Sequence, residues 1–432
     1  MTNITGISLS LTLLMGIITL LLPRRYAVIP ILISACYMTL AQRIVIATAD
    51  LTIMRIILLF CWIRIVIRGE LSSIKFNTID KALILYVISA IITYTFLWDT
   101  TAALISSLGF AYNAIGLYFF FRILIRDFDN INLLLKTLAI IIVPLAGLML
   151  VEKATGENLF YIFGGVPMFS LIREGSVRCQ GSFTHPILAG TFGATLIPFF
   201  IAMWFKNEGT KALAITGFIA ATIIVITAHS SGPAMAYLFA IIGMLMWRFR
   251  EHMRVIRWGI LFSLIALHMV MKAPVWFLIA RLGHLIGGSG WHRSELIDTA
   301  IRHFDEWWLI GTTYTRHWMP TGVTWSPDQA DITNQFIQVG VNGGMITLIL
   351  FTTVIVLCFR DIGQTLKDSK DEPFAIRIIL WAMGATLFAH IVSFVSVSYF
   401  DQIIVFWYLL LAMISTVSSL FKDPGSLSTE PT

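Results

Sequence analysis

Apolar runs close to twenty residues long follow one another from end to end of this chain, parted by short polar connections and two long ones. Wound as a helix, each such run reaches across about 30 Å of hydrocarbon. The runs lack the apolar–polar alternation of membrane strands, which excludes a β-barrel. The pattern predicts spans at 7–22, 26–41, 51–67, 82–98, 102–121, 133–151, 186–205, 212–228, 232–247, 258–280, 336–359, 376–397 and 402–420. The first two are short, so roughly eleven to thirteen crossings are expected. The expected fold is all-α, a polytopic transmembrane helical bundle with one large structured outer loop that contains an amphipathic helix. N-terminal helices occupy 1–151, an outer loop 152–185, central helices 186–280, the large loop 281–335, C-terminal helices 336–420 and a polar tail 421–432.

Composition agrees with this reading. The 432 residues are 57% hydrophobic and 12% charged, with mean hydropathy +0.84. A soluble domain carries roughly twice that charge fraction. The net charge of +6 does not imply nucleic acid, because Lys and Arg concentrate on alternate loops, as they do on loops retained in the cytoplasm. Arg24/Arg25, Arg68/Lys75/Lys81, Arg122/Arg126/Lys136, Lys206/Lys211, Arg248 to Arg257 and Arg360 to Arg377 define that side. Both long loops, with the connections at 43–50, 99–101, 229–231 and 398–401, then face outward. Cys36, Cys61, Cys179 and Cys358 are scattered, with no disulfide framework or CxxC site. The run from Ile7 to Leu22 has no basic residue before it and no small-residue cleavage site, and reads as a retained helix.

Candidate chemistry gathers in the large loop. It combines Arg293, Arg302 and Arg316 with His292, His303, His317, Glu295, Asp298 and Asp331, and interleaves tryptophans 291, 307, 308, 318 and 325. Aromatic rings among charges of both signs suit a polar, charged, ring-bearing substrate. Ile297, Ala300, Ile301, Phe304 and Trp308 recur at helical spacing as an apolar face. Asp298, Arg302 and Glu306 are spaced to form a ladder on the other face. That helix can equally lie on the membrane surface with its charges solvated. Arg293 is placed at the helix start, where backbone N–H groups and the positive helix end favour anions. Its planar fork there suits a diphosphate.

Arg178 and His185 precede an apolar helix that starts at Pro186. They read either as markers of the water boundary or as a second anion contact. In His229-Ser-Ser-Gly-Pro233, Ser230 or Ser231 can cap the helix that Pro233 opens, or offer donors to a phosphate. A serine nucleophile lacks its Gly-x-Ser-x-Gly context. Arg64 can snorkel to the cytoplasmic edge, and Arg55 remains a functional candidate as a charge within a span. His268 and His390, alone on apolar helices, read as internally bonded packing residues. Neither a metal site nor a cofactor is expected, because no His-x-x-x-His, paired Asp motif or Gly-rich nucleotide loop is present.

Four blocks resemble, in order, the O-antigen ligase/polymerase superfamily of membrane glycosyltransferases. They are Arg178-Cys-Gln-Gly-Ser-Phe-Thr-His-Pro186, Thr227-Ala-His-Ser-Ser-Gly-Pro-Ala234, His292-Arg293 with Leu309-Ile-Gly311, and Asp331-Ile-Thr-Asn-Gln-Phe-Ile-Gln-Val-Gly-Val-Asn-Gly-Gly344. Together they cover roughly residues 175 to 360, and each block alone is weakly specific. Two positions depart from the family: Ser231 stands where ligases carry an arginine, and Thr333 where they carry the histidine implicated in catalysis. The chain looks nearest to a divergent branch found in exopolysaccharide clusters.

The resemblance implies polymerisation or ligation of polyprenyl-diphosphate-linked polysaccharide units at the outer face of a bacterial cytoplasmic membrane. Its partners would be the lipid-linked oligosaccharide, an acceptor glycan, membrane lipids, and export or chain-length proteins. Arg293 and Arg178 would neutralise the departing diphosphate without metal. Asp331, or His292 behind it, would be the general base. His185, Ser231, Asn334, Arg316 and Trp291 would complete substrate binding. A transporter or flippase, or a non-catalytic assembly partner, are the alternatives. A transporter would need charged or polar groups near midplane, whereas here such groups cluster in outer loops.

Overall fold

The computed structural model describes residues 3–40, 42–46, 49–285, 290–324 and 326–422. Helices α1 (Gly6–Leu21), α2 (Ile29–Tyr37), α3 (Ile53–Ile67), α4 (Thr78–Trp98), α5 (Thr101–Leu124) and α6 (Phe128–Thr155) precede the first long loop. Helices α7 (Pro186–Trp204), α8 (Glu208–Thr227), α9 (Ser231–Leu245) and α10 (Met253–Val270) follow it. The large loop holds α11 (Leu278–Leu285), α12 (Gly290–Arg302) and α13 (Phe304–Trp307). Helices α14 (Gln335–Asp368), α15 (Phe374–Phe394) and α16 (Gln402–Lys422) close the chain. Strand is confined to three two-stranded hairpins among the described residues.

This is an all-α polytopic membrane protein. Nine helices among the described residues are long and apolar enough to cross a membrane, the 40-residue stretch Ser231–Val270 counting once. A 3-10 turn with Phe249 at φ −107° and ψ 15° divides that stretch into α9 and α10. Each expected span corresponds to a helix. However, α1, α2 and α3 have only 16, 9 and 15 residues, and the span expected at 258–280 stops at Val270. The expected tail begins at 421, but α16 continues to Lys422, and residues 423–432 lie outside the described ones.

Local chemistry starts the helices. Asn77 and Asp80 form a reciprocal capping box at α4, and Thr100 and Asp127 accept N–H groups at α5 and α6. Helix α7 sits at the centre, packed on α8, α9 and α15. Its small residues permit close approach: a Cβ at Gly193 would lie 2.8 Å from the Ala221 carbonyl oxygen.

The basic loops meet at one end of the bundle. There Asp80 accepts from Tyr118 Oη at 2.5 Å and Ser415 Oγ at 3.2 Å, and Arg122 donates to Ser415 and Ser419. Arg64 does not snorkel. It is buried, donating to the Thr19 and Leu22 carbonyls at 2.8 and 2.7 Å and to Glu70 at 3.1 Å. It thereby satisfies the carbonyls that end α1. Arg55 bonds the Asp50 carbonyl and lies against Gly109 of α5. His268 and His390 are internally bonded, to the Val275 N–H and the Tyr399 hydroxyl.

The long loops and the turns expected to accompany them meet at the opposite end. Thr5 bonds the Phe163 carbonyl, Cys179 N–H the Thr227 carbonyl, and Ser398 the Ile332 carbonyl. Gly344 breaks α14 with φ 71° and ψ −175°. A Cβ there would sit 2.2 Å from the Leu309 oxygen, so only glycine admits the loop backbone. Met345 N–H bonds the Trp308 carbonyl at 2.7 Å, and Thr312 N–H the Val341 carbonyl at 2.9 Å. The large loop is thus strapped to α14 at the glycines of the third and fourth blocks.

Candidate functional site

Arg293 lies in the first turn of α12, and its Nη1 donates to Ser231 Oγ at 3.2 Å. Its other terminal nitrogen lies over Gly232, where an added Cβ would be 3.5 Å away and only 2.6 Å from Ser396 Oγ. Ser231 therefore orients Arg293 instead of capping. Helix α9 begins at Ser231 with Ser230 as N-cap and no side-chain capping bond. The turn is tight enough to hold His229 at φ 43°.

The backbone beside Arg178 meets the end of α8 that leads into this turn. Arg178 ends the hairpin strand Ser176–Arg178, whose partner is Leu171–Arg173, and the next residue bonds the Thr227 carbonyl. Arg178 is buried, and its Nε makes no hydrogen bond among the described residues. No carboxylate pairs with Arg178 or Arg293 among those residues. Burial, with a smaller push from the Arg173 charge, lowers Arg293 to about 10 and also lowers Arg178. Guanidiniums stay protonated at neutral pH. Arg178 is buried and Arg293 partly buried, both feel the Arg173 charge, and cations without counter-ions among the described residues are candidates for anion binding.

His185 caps α7, its Nδ1 accepting from Ile187 N–H at 3.1 Å. The proton therefore sits on Nε2, as the hydrogen-bond network assigns it. Burial, then the Arg178 charge, lowers the ring to about 4, so it is neutral at pH 7. His185 can offer a phosphate a hydrogen bond but not a charge.

His292 stands beside Arg293, and its Nε2 lies 3.1 Å from the Asp331 carbonyl oxygen. A carbonyl only accepts, so Nε2 holds the proton and Nδ1 keeps a basic lone pair. The Asp331 side chain is exposed, in the segment that leads into α14. Asp331 does not cap that helix. Asn334 does, accepting from Phe336 and Ile337 N–H at 3.0 and 3.2 Å, and the helix starts at Gln335. Arg293 is thus brought to Ser231 and His292 to the Asp331 backbone, while Asn334 is engaged in capping.

Other expectations change. Arg316 donates to the Met319 and Pro320 carbonyls at 2.7 and 3.1 Å, and so fastens its own turn. Trp307 and Trp318 are buried in a small second core with Leu296 and Met319. Trp291 and Trp308 are exposed, and Trp325 lies outside the described residues. The loop helix stops at Arg302 and resumes at Phe304. It buries Leu296 and Ala300, leaving Ile301, Phe304 and Trp308 exposed, so the apolar face is not the one the spacing suggested. Only half of the charge ladder forms: Arg302 pairs with Asp298 at 2.5 Å, whereas Glu306 turns to His303 and His317.

Two features escaped the sequence reading. Asp401, at φ 51°, accepts from Thr184 at 2.5 Å beside His185. Burial pushes its carboxyl above the usual range, against the pull of that hydrogen bond. The second is a cleft of about 250 Å³ between α4, α5 and α14, lined by Tyr86, Tyr94, Ser106, Gln338, Asn342 and Tyr399. It adjoins a smaller cavity whose lining includes Asn113, and the Asn113 Oδ1 is buried without a hydrogen bond among the described residues. Gln335 and Tyr399 line both and are joined to each other, the Gln335 Oε1 accepting from Tyr399 N–H at 2.5 Å. A high local density of amides and aromatics was the only available signal, and in apolar helices it reads as packing. No protein-family profile matches this chain, and no curated protein is similar enough to it to show kinship.

Proposed function

We propose that this protein transfers glycosyl units from a polyprenyl-diphosphate-linked oligosaccharide to an acceptor glycan, at the outer face of a bacterial cytoplasmic membrane. The observation that carries the reading is the pair of carboxylate-free arginines, Arg293 and Arg178, at the loop end of the bundle. The ordered resemblance to O-antigen ligases and polymerases supplies the reaction class. In that reaction the acceptor hydroxyl oxygen bonds the anomeric carbon, the bond from that carbon to the diphosphate breaks, and the hydroxyl proton passes to a base. The diphosphate leaves on its polyprenyl chain with added negative charge. The buried Arg178 and the partly buried Arg293 would offset that charge where water screens it less.

His292 and Asp331 are our candidates for the base that takes the proton. The free Nδ1 of His292 is favoured by its hydrogen bond to the Asp331 carbonyl, and Asp331 offers a solvated carboxylate in the same segment. The amide- and aromatic-lined cleft suits a sugar, whose hydroxyls and apolar ring faces match those two kinds of group. The polyprenyl tail would lie between helices.

Deleting the gene and comparing lipid-linked intermediates with finished polymer tests the reading. A transferase deletion accumulates lipid-linked units on the outer face and loses polymer or ligated product. Accumulation on the inner face would instead indicate a flippase. Complementation with Arg293→Ala should fail at normal expression, and Arg293→Lys should restore little, because a point charge lacks the bidentate fork. Full complementation by Arg293→Ala would reject the diphosphate site.

A further inference from the structure

The large loop contains a second cluster, remote along α12 from Arg293, that the transferase reading does not use. Glu306 Oε1 lies 2.8 Å from His303 Nδ1 and 2.9 Å from His317 Nε2. The ligand-type atoms of the three residues all lie within 4.8 Å of one another. We propose that His303, Glu306 and His317 form a zinc site that fastens the end of α12 to the turn at Arg316–Trp318.

Two imidazoles and one carboxylate are a set that zinc takes with a remaining position open to water or a fourth ligand. Neighbouring ligand atoms around tetrahedral zinc sit about 3.4 Å apart at bonds near 2.1 Å. Admitting the ion therefore needs Glu306 to withdraw by about half an ångström from each ring, and the two ring nitrogens, within 4.8 Å of each other, to close towards that spacing.

The three side chains are held before any ion arrives. The other carboxylate oxygen, Oε2, accepts from Trp318 Nε1 at 3.0 Å, leaving Oε1 to face the rings. His303 stacks on Trp318 with planes 10° apart, and His317 stacks on Tyr314 with planes 12° apart. Such outer contacts are how proteins aim ligands at a metal. Side-chain exposures of 32%, 30% and 35% leave the group open to an ion from solution.

Binding needs no oxidant and no covalent change. Without metal, His303 Nδ1 and His317 Nε2 carry the protons they donate to Glu306. With zinc, those nitrogens offer lone pairs and each ring carries its proton on the far nitrogen, His303 Nε2 or His317 Nδ1. Neither far nitrogen is hydrogen-bonded among the described residues, so the tautomer change breaks nothing else. The site is legible only in the fold, because His317 reaches Glu306 through the turn after α13 and not along one helix face.

The test uses the full-length protein in detergent or nanodiscs, stripped with chelator and titrated with zinc chloride against a competing zinc dye. One equivalent should bind in the micromolar range or tighter. His317→Ala and His303→Ala should each weaken binding at least tenfold, and Glu306→Gln similarly, while Asp305→Ala leaves it unchanged. Wild-type and variant proteins are compared by helical circular dichroism, so that loss of binding is read only in folded protein. Absence of saturable binding to the wild type overturns the proposal. So does binding that survives both histidine substitutions. The outcome is independent of whether the protein transfers sugars.

Discussion

Arg293→Met removes a guanidinium whose folded surroundings oppose its charge, and should make the ligand-free protein more stable while abolishing its activity. An arginine ordinarily near 12.5 is held at about 10, mainly by burial. At about 1.36 kcal/mol per tenfold change in proton affinity, that depression corresponds to a penalty of about 3 kcal/mol. Because the folded value is the lower one, the penalty acts at every pH below about 10 and fades only as pH rises from there towards 12.5. It is therefore fully present at neutral pH. Methionine fills much of the same volume but forfeits the hydrogen bond to Ser231, worth about 1 kcal/mol. The net expectation is a gain of about 2 kcal/mol. At roughly 2.1 cal/mol/K of unfolding entropy per residue, this chain of 432 residues gains about 2 °C in its midpoint. Product formation should fall by about a hundredfold to a thousandfold, the usual loss when one preorganised donor to a developing anion is removed. Thermal unfolding followed by tryptophan fluorescence, with polymer output at matched expression, reads both effects. A variant clearly less stable than wild type would mean that Arg293 holds the fold together, and the anion-site argument would fail.

Three further outcomes follow from the same geometry. An introduced cysteine at Thr321 should react with an impermeant reagent in cells whose outer membrane alone is opened; reaction only after the inner membrane is breached would place the site on the wrong side. Asp331→Asn should leave product near normal if His292 is the base, and His292→Gln should then remove it, whereas the reverse pattern gives the role to Asp331. Arg302→Ala should cost about 0.5–1 kcal/mol of stability with activity nearly intact, since its exposed guanidinium pairs only with Asp298; a loss of product equal to that of Arg293→Ala would show that the substrate meets the other face of α12.

The sequence alone determined the spans and the sharing of loops between two ends. Those features are local. A hydrophobic run of sufficient length must become a helix in lipid, because its backbone can be satisfied there in no other way, and charge must stay at its ends. The surroundings of Arg178 and Arg293 were not local, since Arg293 bonds Ser231 and the residue after Arg178 bonds the Thr227 carbonyl, both far away in the chain. Helical spacing also misplaced the apolar face of α12. The loop folds on itself and on α14, so Trp307 and Trp318 became core while Ile301 and Phe304 were left outside. Arg64 looked free to reach water until α1 ended beside it and presented unpaired carbonyls. Only the tertiary structure decided these, because packing selects among side chains that periodicity treats as equivalent, and the decisive partners are supplied by distant segments.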